Sequence, residues 1–286
     1  MNPDVLILAE HYGDPRSWLQ GDEWDSIMNY DAFMEPITWF LTGMEKHSDE
    51  YEGSLYGDGE GFFRAMNYHM SRMQTASILV SMNQLSNHDH SRFLTRTNQK
   101  PGRLADMGAM AASAGVQYGV LRAAMMIQMT WPGAPTIYYG DEAGMCGWTD
   151  PDNRRTYPWG KENLELIEFC RYLCGIHKRI PALKKGAVKK LMADRHLIAY
   201  GRMHGRYKAV VVVNNRKTER EVEIPVWQLG IGKDDILARL MVTTEQGYNV
   251  GITKIEHPQG YVQMKMPPVS SVLMITHVEE FFNEIL

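Results

Sequence analysis

The sequence predicts an α/β domain of repeated strand–helix units, followed by a small antiparallel β domain. Up to about residue 181, short apolar runs alternate with segments of helical periodicity, which is typical of a parallel sheet covered by helices. Beyond residue 182, short segments rich in Val, Ile and Tyr follow one another with only turn residues between them. We therefore place the two domains at residues 1–182 and 183–286.

The composition is that of an ordinary globular chain. The 286 residues are 44% apolar and 22% charged, and the net charge of −4 does not favour nucleic acid as a partner. No apolar run reaches the roughly 18 residues that a membrane span requires, so no membrane partner is expected. The first residues, MNPDVLILAE, lack the basic region of a signal peptide, which predicts a cytoplasmic protein.

The three cysteines are Cys146, Cys170 and Cys174, too few and too unevenly spaced for a disulfide framework or a zinc site. Cys170 and Cys174 lie one helical turn apart, and we expect them to be buried thiols on a helix face. The residues identify no cofactor and no metal ligands.

Four strands and three long helices are expected in the first domain. Residues 5–10, VLILAE, form a short apolar run that ends in an acid, as in a buried parallel strand. The other predicted strands lie within residues 25–30, 77–89 and 135–144, and the predicted helices cover residues 59–73, 102–130 and 162–180. Pro181 ends the last of these helices.

The second domain is expected to contain six strands. They cover residues 196–203, 207–215, 219–226, 238–245, 261–268 and 270–278. Turn residues such as Asn214, Asn215, Gly247, Pro267 and Pro268 separate them.

Polar residues collect where three of the predicted strands end. They are Glu10 on the first strand, Asn87, His88 and Asp89 on the third, and Asp141 and Glu142 on the fourth. In a parallel α/β barrel, such ends converge on one mouth. A Glu, an Asp and a His meeting there suit glycoside hydrolysis, which needs an acid, a second carboxylate and groups that bind sugar hydroxyls. Asp141 and Glu142 are expected to cap their loop, and His90 to be solvated.

Three stretches together resemble one family. They are ILAEHYGDPRSWLQGDEWDSIMNYDAF at residues 7–33, LSNHDHSRFL at 85–94 and GAPTIYYGDEAGMCGWTDPDNRRTYPW at 133–159. In their order and spacing they are similar to the α-amylase superfamily, glycoside hydrolase family 13, and within it to the neopullulanase, cyclomaltodextrinase and amylopullulanase-like group. The resemblance implies the C-terminal half, strands five to eight, of a (β/α)8 TIM barrel, followed by an antiparallel β-sandwich.

The resemblance also implies roles for individual residues. Glu10 matches the general acid/base of a retaining glycoside hydrolase, and His88 and Asp89 match the residues that stabilise its transition state. The implied substrate-binding residues are Asn87, Tyr12, Arg92, Asp150, Arg154 and Trp148. Tyr12 would stack on an acceptor sugar, and Arg92 is expected to hold a loop. Of Trp18, Trp24, Trp148 and Trp159, we select Trp148 as a sugar platform.

One family feature is missing, because the nucleophile motif, GxRxD, should stand about thirty residues before the general acid. Only nine residues precede Glu10, and RLAD at residues 103–106 falls in a helical pattern. We therefore expect little or no hydrolysis of starch or malto-oligosaccharides by this chain alone. The alternatives are a non-catalytic malto-oligosaccharide-binding remnant and an inert fragment.

A half barrel would also leave open sheet edges and an uncovered apolar interior. We expect these to be covered by a homo-oligomer or by the missing N-terminal half. The resemblance allows calcium in a longer parent. It is compatible with α-1,4 and α-1,6 linkages, and with hydrolysis and transglycosylation.

Overall fold

The structure is a computed structural model that describes residues 5–282. The α-helices are α1 (Glu35–Thr42), α2 (Gly59–Met70), α3 (Thr75–Val80), α4 (Phe93–Arg96), α5 (Leu104–Met107), α6 (Tyr118–Thr130), α7 (Leu164–Arg179) and α8 (Pro181–Lys185). The strands are β1 (Leu8–Ala9), β2 (Ser26–Ile27), β3 (Met82–Gln84), β4 (Ala134–Thr136), β5 (Ala187–Asp194), β6 (Leu197–His204), β7 (Tyr207–Asn214), β8 (Arg220–Pro225), β9 (Leu237–Thr243), β10 (Tyr248–Ile255), β11 (Tyr261–Met266) and β12 (Ser270–Thr276). Within residues 5–282, no helix is both long and apolar enough to cross a bilayer.

The first four strands are short, parallel and adjacent in chain order. β1 pairs with β2 and β3 with β4, both in parallel. A parallel bridge between Met28 and Met82 joins the two pairs. Helices connect β2 to β3 and β3 to β4, so the predicted alternation of strands and helices is present, although each strand is shorter than expected.

The prediction that the first strand is buried is wrong for its described residues. Val5, Leu6, Ile7 and Leu8 are all exposed, and Leu6 retains 57% of its accessible surface. These residues are exposed because β1 is an edge strand, which hydrogen-bonds to β2 on one side and to no described strand on the other. An apolar run at the edge of a sheet therefore stands in solvent.

The predicted helix over residues 102–130 is broken into three pieces. α5 ends at Gly108 and a short 3-10 turn covers Ala109–Ser113 before α6 begins at Tyr118. Gly108 and Gly115 have φ of 75° and 78°, values that continue no right-handed helix. The Ala- and Met-rich composition favoured a helix, and these two glycines end it.

α6 is the central helix of the molecule and is buried on all sides. Every residue from Gly119 to Thr130 is buried, which is typical of a helix that lies inside a core. At its end, the Thr130 hydroxyl lies 2.6 Å from the hydroxyl of Tyr200 in β6. Near its start, the buried guanidinium of Arg122 donates to the carbonyls of Thr244 and Glu245 after β9. One helix thus contacts both parts of the chain.

The strands after α8 form an antiparallel sheet of six strands in the order β10-β9-β12-β7-β6-β5, and β8 pairs separately with β11. The sequence predicted six of these eight strands and missed β5 and β10. These two are the edge strands of the larger sheet. Edge strands expose charged and polar side chains, so the alternation of apolar residues that reveals a strand is weak in both.

Candidate active site

The three residues predicted to be catalytic lie together. Glu10 follows β1 directly, whereas His88 and Asp89 follow β3. The Nε2 atom of His88 lies 3.2 Å from Glu10 Oε1 and 3.5 Å from Asp89 Oδ1. Each of the three side chains is about 40% exposed, so the group opens to solvent. An imidazole therefore stands between two accessible carboxylates.

Tyr30 connects Glu10 to Asn87 through its hydroxyl group, and the sequence analysis did not identify it as a site residue. Its hydroxyl donates to Glu10 Oε1 at 3.3 Å and accepts from Asn87 Nδ2 at 3.2 Å. Burial, and then the neighbouring Tyr12 hydroxyl, raise the pKa of Tyr30. The phenol remains a donor as a result. The only sequence signal was its place at the end of a predicted strand.

Asn87 shapes the loop that carries His88 and Asp89. Its Oδ1 accepts hydrogen bonds from the backbone N–H groups of Asp89 and His90, both at 3.0 Å, which is an Asx turn. The side chain is buried. The prediction that Asn87 contacts substrate is therefore corrected: it orients the residues that are exposed.

Tyr12 is available to a ligand on part of its surface. Its ring stacks on that of Tyr30 with centroids 4.4 Å apart and planes at 8°, and 48% of the side chain is exposed. Lys46 Nζ lies 5.9 Å from the ring centroid. Burial is the main cause of the raised pKa of Tyr12. The structure places this aromatic side chain beside Glu10, where the sequence predicted a sugar-stacking residue.

Asp150 and Arg154 reach the same site from the loop after β4. Arg154 Nε lies 2.9 Å from Asp150 Oδ1 and donates to the His88 carbonyl at 2.9 Å. Its Nη2 lies 3.8 Å from Asp89 Oδ1. Both side chains are about half-exposed. The predicted donor-side pair is thus next to the predicted catalytic residues.

Arg92 lies beneath the site and has no exposed surface. It donates to the carbonyls of Asn153 at 2.9 Å and Tyr139 at 2.6 Å, and to the Asp141 carboxylate at 3.0 Å. A substrate cannot reach it in this structure, so its inclusion among substrate-binding residues is corrected. Burial raises the pKa of Asp141, against the opposing effect of Arg92. This ion pair ties the loop after β3 to the loop after β4.

Trp148 is fully buried, and its Nε1 donates to the carbonyl of Gly108 at 3.1 Å. The prediction that Trp148 is a sugar platform is therefore wrong. The tryptophan of this loop that faces solvent is Trp159, which is 81% exposed and lies against Tyr157. Nothing in the local sequence distinguished the two, because burial of Trp148 depends on contact with a segment forty residues away.

His90 was expected to be solvated, but it is fully buried. Its Nδ1 donates to Asn87 Oδ1 at 2.8 Å, and its Nε2 lies 3.4 Å from the Tyr12 hydroxyl. Burial is the main reason that the pKa of His90 falls to about 2, and the charges of His47, Arg96 and Lys46 lower it further. The imidazole is therefore neutral in the folded protein.

This neutrality predicts a loss of stability in mild acid. Below the unfolded-state pKa of about 6.5, the unfolded chain binds a proton at His90 that the folded chain does not bind until about pH 2. His90 alone should thus lower the free energy of unfolding by about 2 kcal/mol between pH 7 and pH 5. Urea unfolding at both pH values checks this. His90→Gln should remove this contribution of about 2 kcal/mol, whereas a substitution of exposed His204 by Gln should not.

Three groups of described side chains come close enough together to approach a common cation. They are Glu10, His88 and Asp89; Glu45, His47 and Asp49; and His277, Glu279 and Glu280. In the second group the Glu45 carboxylate already accepts from His47, and Asp49 pairs with Arg103. We assign no metal to any of these groups, because their ligand atoms are engaged with one another or with arginines.

Comparisons with known proteins agree on one family. The model described as "Alpha amylase, catalytic domain" matches residues 1–231. Neopullulanase 2 of Thermoactinomyces vulgaris is 35% identical over an alignment 234 residues long, which covers 80% of this chain and 35% of that protein. An amylopullulanase of Thermoanaerobacterium thermosulfurigenes is 28% identical over an alignment 287 positions long, gaps included, which covers 96% of this chain and 15% of that protein.

Solved structures show the same likeness in the fold. A debranching enzyme from Nostoc punctiforme matches with a TM-score of 0.74 at 24% identity, over 96% of this chain and 52% of that one. A cyclomaltodextrinase matches with a TM-score of 0.73 at 25% identity, over 96% and 41%. The chain spans about half the length of these structures or less, and about a third or less of the curated relatives named above.

Proposed function

The chain belongs to the alpha-amylase catalytic-domain family, and on that premise we propose that it carries the acid/base half of an α-glucan hydrolase site. The observation that carries the proposal is the convergence of Glu10, His88 and Asp89 from the ends of β1 and β3. The relatives named neopullulanase, amylopullulanase and cyclomaltodextrinase support an α-glucan or malto-oligosaccharide as the substrate.

The proposed architecture is the C-terminal half of a (β/α)8 barrel at residues 1–182, followed by a β-sandwich domain at 183–286. The four parallel strands in chain order support the first part, since strands five to eight of a barrel would lie in that order. β8 and β11 face the larger antiparallel sheet, and apolar side chains fill the space between the two sheets. This arrangement supports the proposed β-sandwich domain.

In the proposed chemistry, Glu10 protonates the glycosidic oxygen and later activates water. Asp89 and His88 hydrogen-bond hydroxyl groups of the sugar as positive charge develops at its anomeric carbon. Tyr30 holds Glu10 through its hydroxyl, and Arg154 brings positive charge to Asp89. A retaining reaction also needs a carboxylate nucleophile, for which this chain has no family motif. We propose that the chain alone is inactive for this reason.

Binding of maltotriose, measured by calorimetry, tests whether the chain keeps part of the sugar cleft. We expect binding that Asp89→Asn weakens about ten-fold, because a charge-assisted hydrogen bond contributes on the order of 1.5–3 kcal/mol. Glu223→Gln, on a remote strand, is the matched control and should bind as the parent does. A chain that binds neither maltotriose nor a cyclodextrin would be the inert alternative.

The exposed first strand supports the proposal of a partner. Val5, Leu6, Ile7 and Leu8 form an exposed apolar edge. The first two of these residues also line an open pocket of about 350 Å³, together with Leu19, Trp24 and Val80. Such an edge favours pairing with another strand. We propose that a second copy of the chain, or the other half of the barrel, covers it.

Sedimentation at tens of micromolar tests the homo-oligomer. We expect an oligomer whose association constant falls at least about ten-fold in Leu6→Lys, since burying a leucine stabilises a contact by roughly 1.5–3 kcal/mol. Met110→Lys, at a residue that is 87% exposed elsewhere, is the matched control. A parent chain that sediments as a monomer would rule out the homo-oligomer.

A further inference from the structure

A groove of about 410 Å³ lies between α7 and strands β9 and β10, at one edge of the larger antiparallel sheet. No residue of the candidate active site lines it. Most of its lining is apolar, and includes Ile176 of α7, Leu240 of β9, Ile252 of β10 and Phe282. A concave site of this volume, with an apolar lining and a few polar groups, is typical of a small-molecule site.

Two glycines keep the groove open. Gly175 lines it from α7 and Gly251 from β10. Neither has a positive φ, so the backbone conformation does not require glycine at either position. A Cβ atom on Gly175 would meet no packing neighbour within 4 Å among residues 5–282, and one on Gly251 would meet only Asn249 Oδ1, at 3.8 Å. Glycine inside a helix or strand is destabilising relative to alanine, yet close packing explains neither of these two.

The charged groups of the lining have positive charge in excess. They are two guanidinium groups, of Arg171 and Arg179, and one carboxylate, of Glu168. Glu168 forms an ion pair with Arg171. Arg179 lies over the ring of Phe282, with its Cζ atom 5.6 Å from the ring centroid. A guanidinium group therefore stands directly beside the apolar lining.

We propose that this groove binds a straight-chain alkyl carboxylate, such as a medium-chain fatty acid. The lining residues of α7, from Glu168 to Arg179, follow one face of the helix over about 16 Å, which suits an extended chain. The alkyl chain lies against Ile176 and Ile252, in the space that Gly175 leaves. The carboxylate accepts hydrogen bonds from the guanidinium of Arg179. A sugar fits less well, because most of its hydroxyl groups would have no polar partner here.

Calorimetric titration of the 286-residue chain with octanoate tests the proposal, with 1-octanol as the neutral probe. We expect octanoate to bind, and Arg179→Gln to weaken this binding about ten-fold, because charge-assisted hydrogen bonds are lost. The affinity for 1-octanol should change by less than about two-fold, since the alcohol carries no charge to pair. Lys178→Gln removes a neighbouring charge of α7 that does not line the groove, and this matched control should bind octanoate as the parent does.

A second variant fills the groove. Gly175→Leu should lower the affinity for both probes at least about ten-fold, because its side chain occupies the space of the alkyl chain. The urea midpoint of this variant should not fall, because leucine favours a helix more than glycine does. A lost site is thereby distinguished from a lost fold. Asn67→Leu, at an exposed position of α2, is the control for an added apolar side chain.

Several outcomes would overturn the proposal. They include a parent that binds neither probe, and binding that Gly175→Leu leaves unchanged. Octanoate that binds only after removal of residues 283–286 would assign the groove to the chain's own C-terminal residues. Octanoate that binds only the dissociated form of a self-associating chain would assign it to a second copy. No sugar and no glycosidase activity enters these measurements, so failure here is separate from failure of the proposed function.

Discussion

The 286-residue chain is expected to hydrolyse an aryl α-maltoside no faster than its own Glu10→Gln variant. Glycosidases that work by a covalent intermediate need a nucleophilic carboxylate opposite the acid, about 5–5.5 Å away. Complete enzymes accelerate their reactions by at least about 10⁶-fold, so the deficit should be unmistakable. The measurement is the initial rate of aryl release, with starch as a second substrate.

The geometry of the site gives the physical reason. Within residues 5–282, the carboxylate grouped with Glu10 is that of Asp89, and these two side chains have oxygens within 4.8 Å. The imidazole of His88 stands between them, with its Nε2 3.2 Å from Glu10 Oε1 and 3.5 Å from Asp89 Oδ1. The proposed acid therefore has one carboxylate beside it among the described residues, and that carboxylate is already engaged by His88 and Arg154.

A rate that Glu10→Gln lowers by about 10²–10⁴-fold, as expected for loss of a general acid, would contradict the proposed inactivity. Asp89→Asn then identifies the nucleophile. Loss of activity together with loss of a trapped glycosyl–enzyme adduct would assign that role to Asp89. Activity that rises with the square of protein concentration would instead assign the nucleophile to a second copy.

Replacing Arg92 by Met is expected to lower the free energy of unfolding by about 3–5 kcal/mol. The substitution leaves the buried Asp141 carboxylate without its cation and removes the donors to the Tyr139 and Asn153 carbonyls. Urea unfolding, followed by circular dichroism at pH 7, gives the magnitude. The effect should be large because neither charge can regain water while the fold persists.

Two controls define this prediction. Arg171→Met breaks an exposed ion pair with Glu168 and should cost less than about 1 kcal/mol. Arg92→Met combined with Asp141→Leu removes both buried charges and should regain part of the loss. If Arg92→Met and Arg171→Met proved equally mild, the buried pair would not be what joins the loops after β3 and β4.

The sequence was most informative where local pattern and burial agree. The alternation of apolar runs and helical segments indicated the parallel strands and α2, α6 and α7. It failed at α1, whose β-branched and aromatic residues, such as Ile37, Thr38 and Trp39, are weak helix formers held by packing. It also failed at the edge strands β5 and β10, whose exposed faces carry little apolar signal.

For the site, the convergence of strand ends and the family resemblance predicted that Glu10, His88 and Asp89 lie together. What could not be predicted was which side chains face the solvent. Trp148 and Arg92 are buried by segments distant in sequence. Tyr30 donates a hydrogen bond to Glu10, and no sequence motif identifies it as a site residue. Such contacts depend on tertiary packing rather than on spacing along the chain.

The exposed edge of β1 lies directly before Glu10, the proposed acid/base. Glu10 directly follows a strand of two residues that pairs on one side only, so its position relies on one of the least stable elements of the fold. In the proposed assembly, a partner that pairs with β1 would stabilise the conformation in which Glu10 lies close to Asp89. By reciprocity, a sugar bound at this site should then raise the affinity for that partner by the same factor by which the partner raises the affinity for the sugar. In that assembly, the edge strand would couple subunit association to ligand affinity.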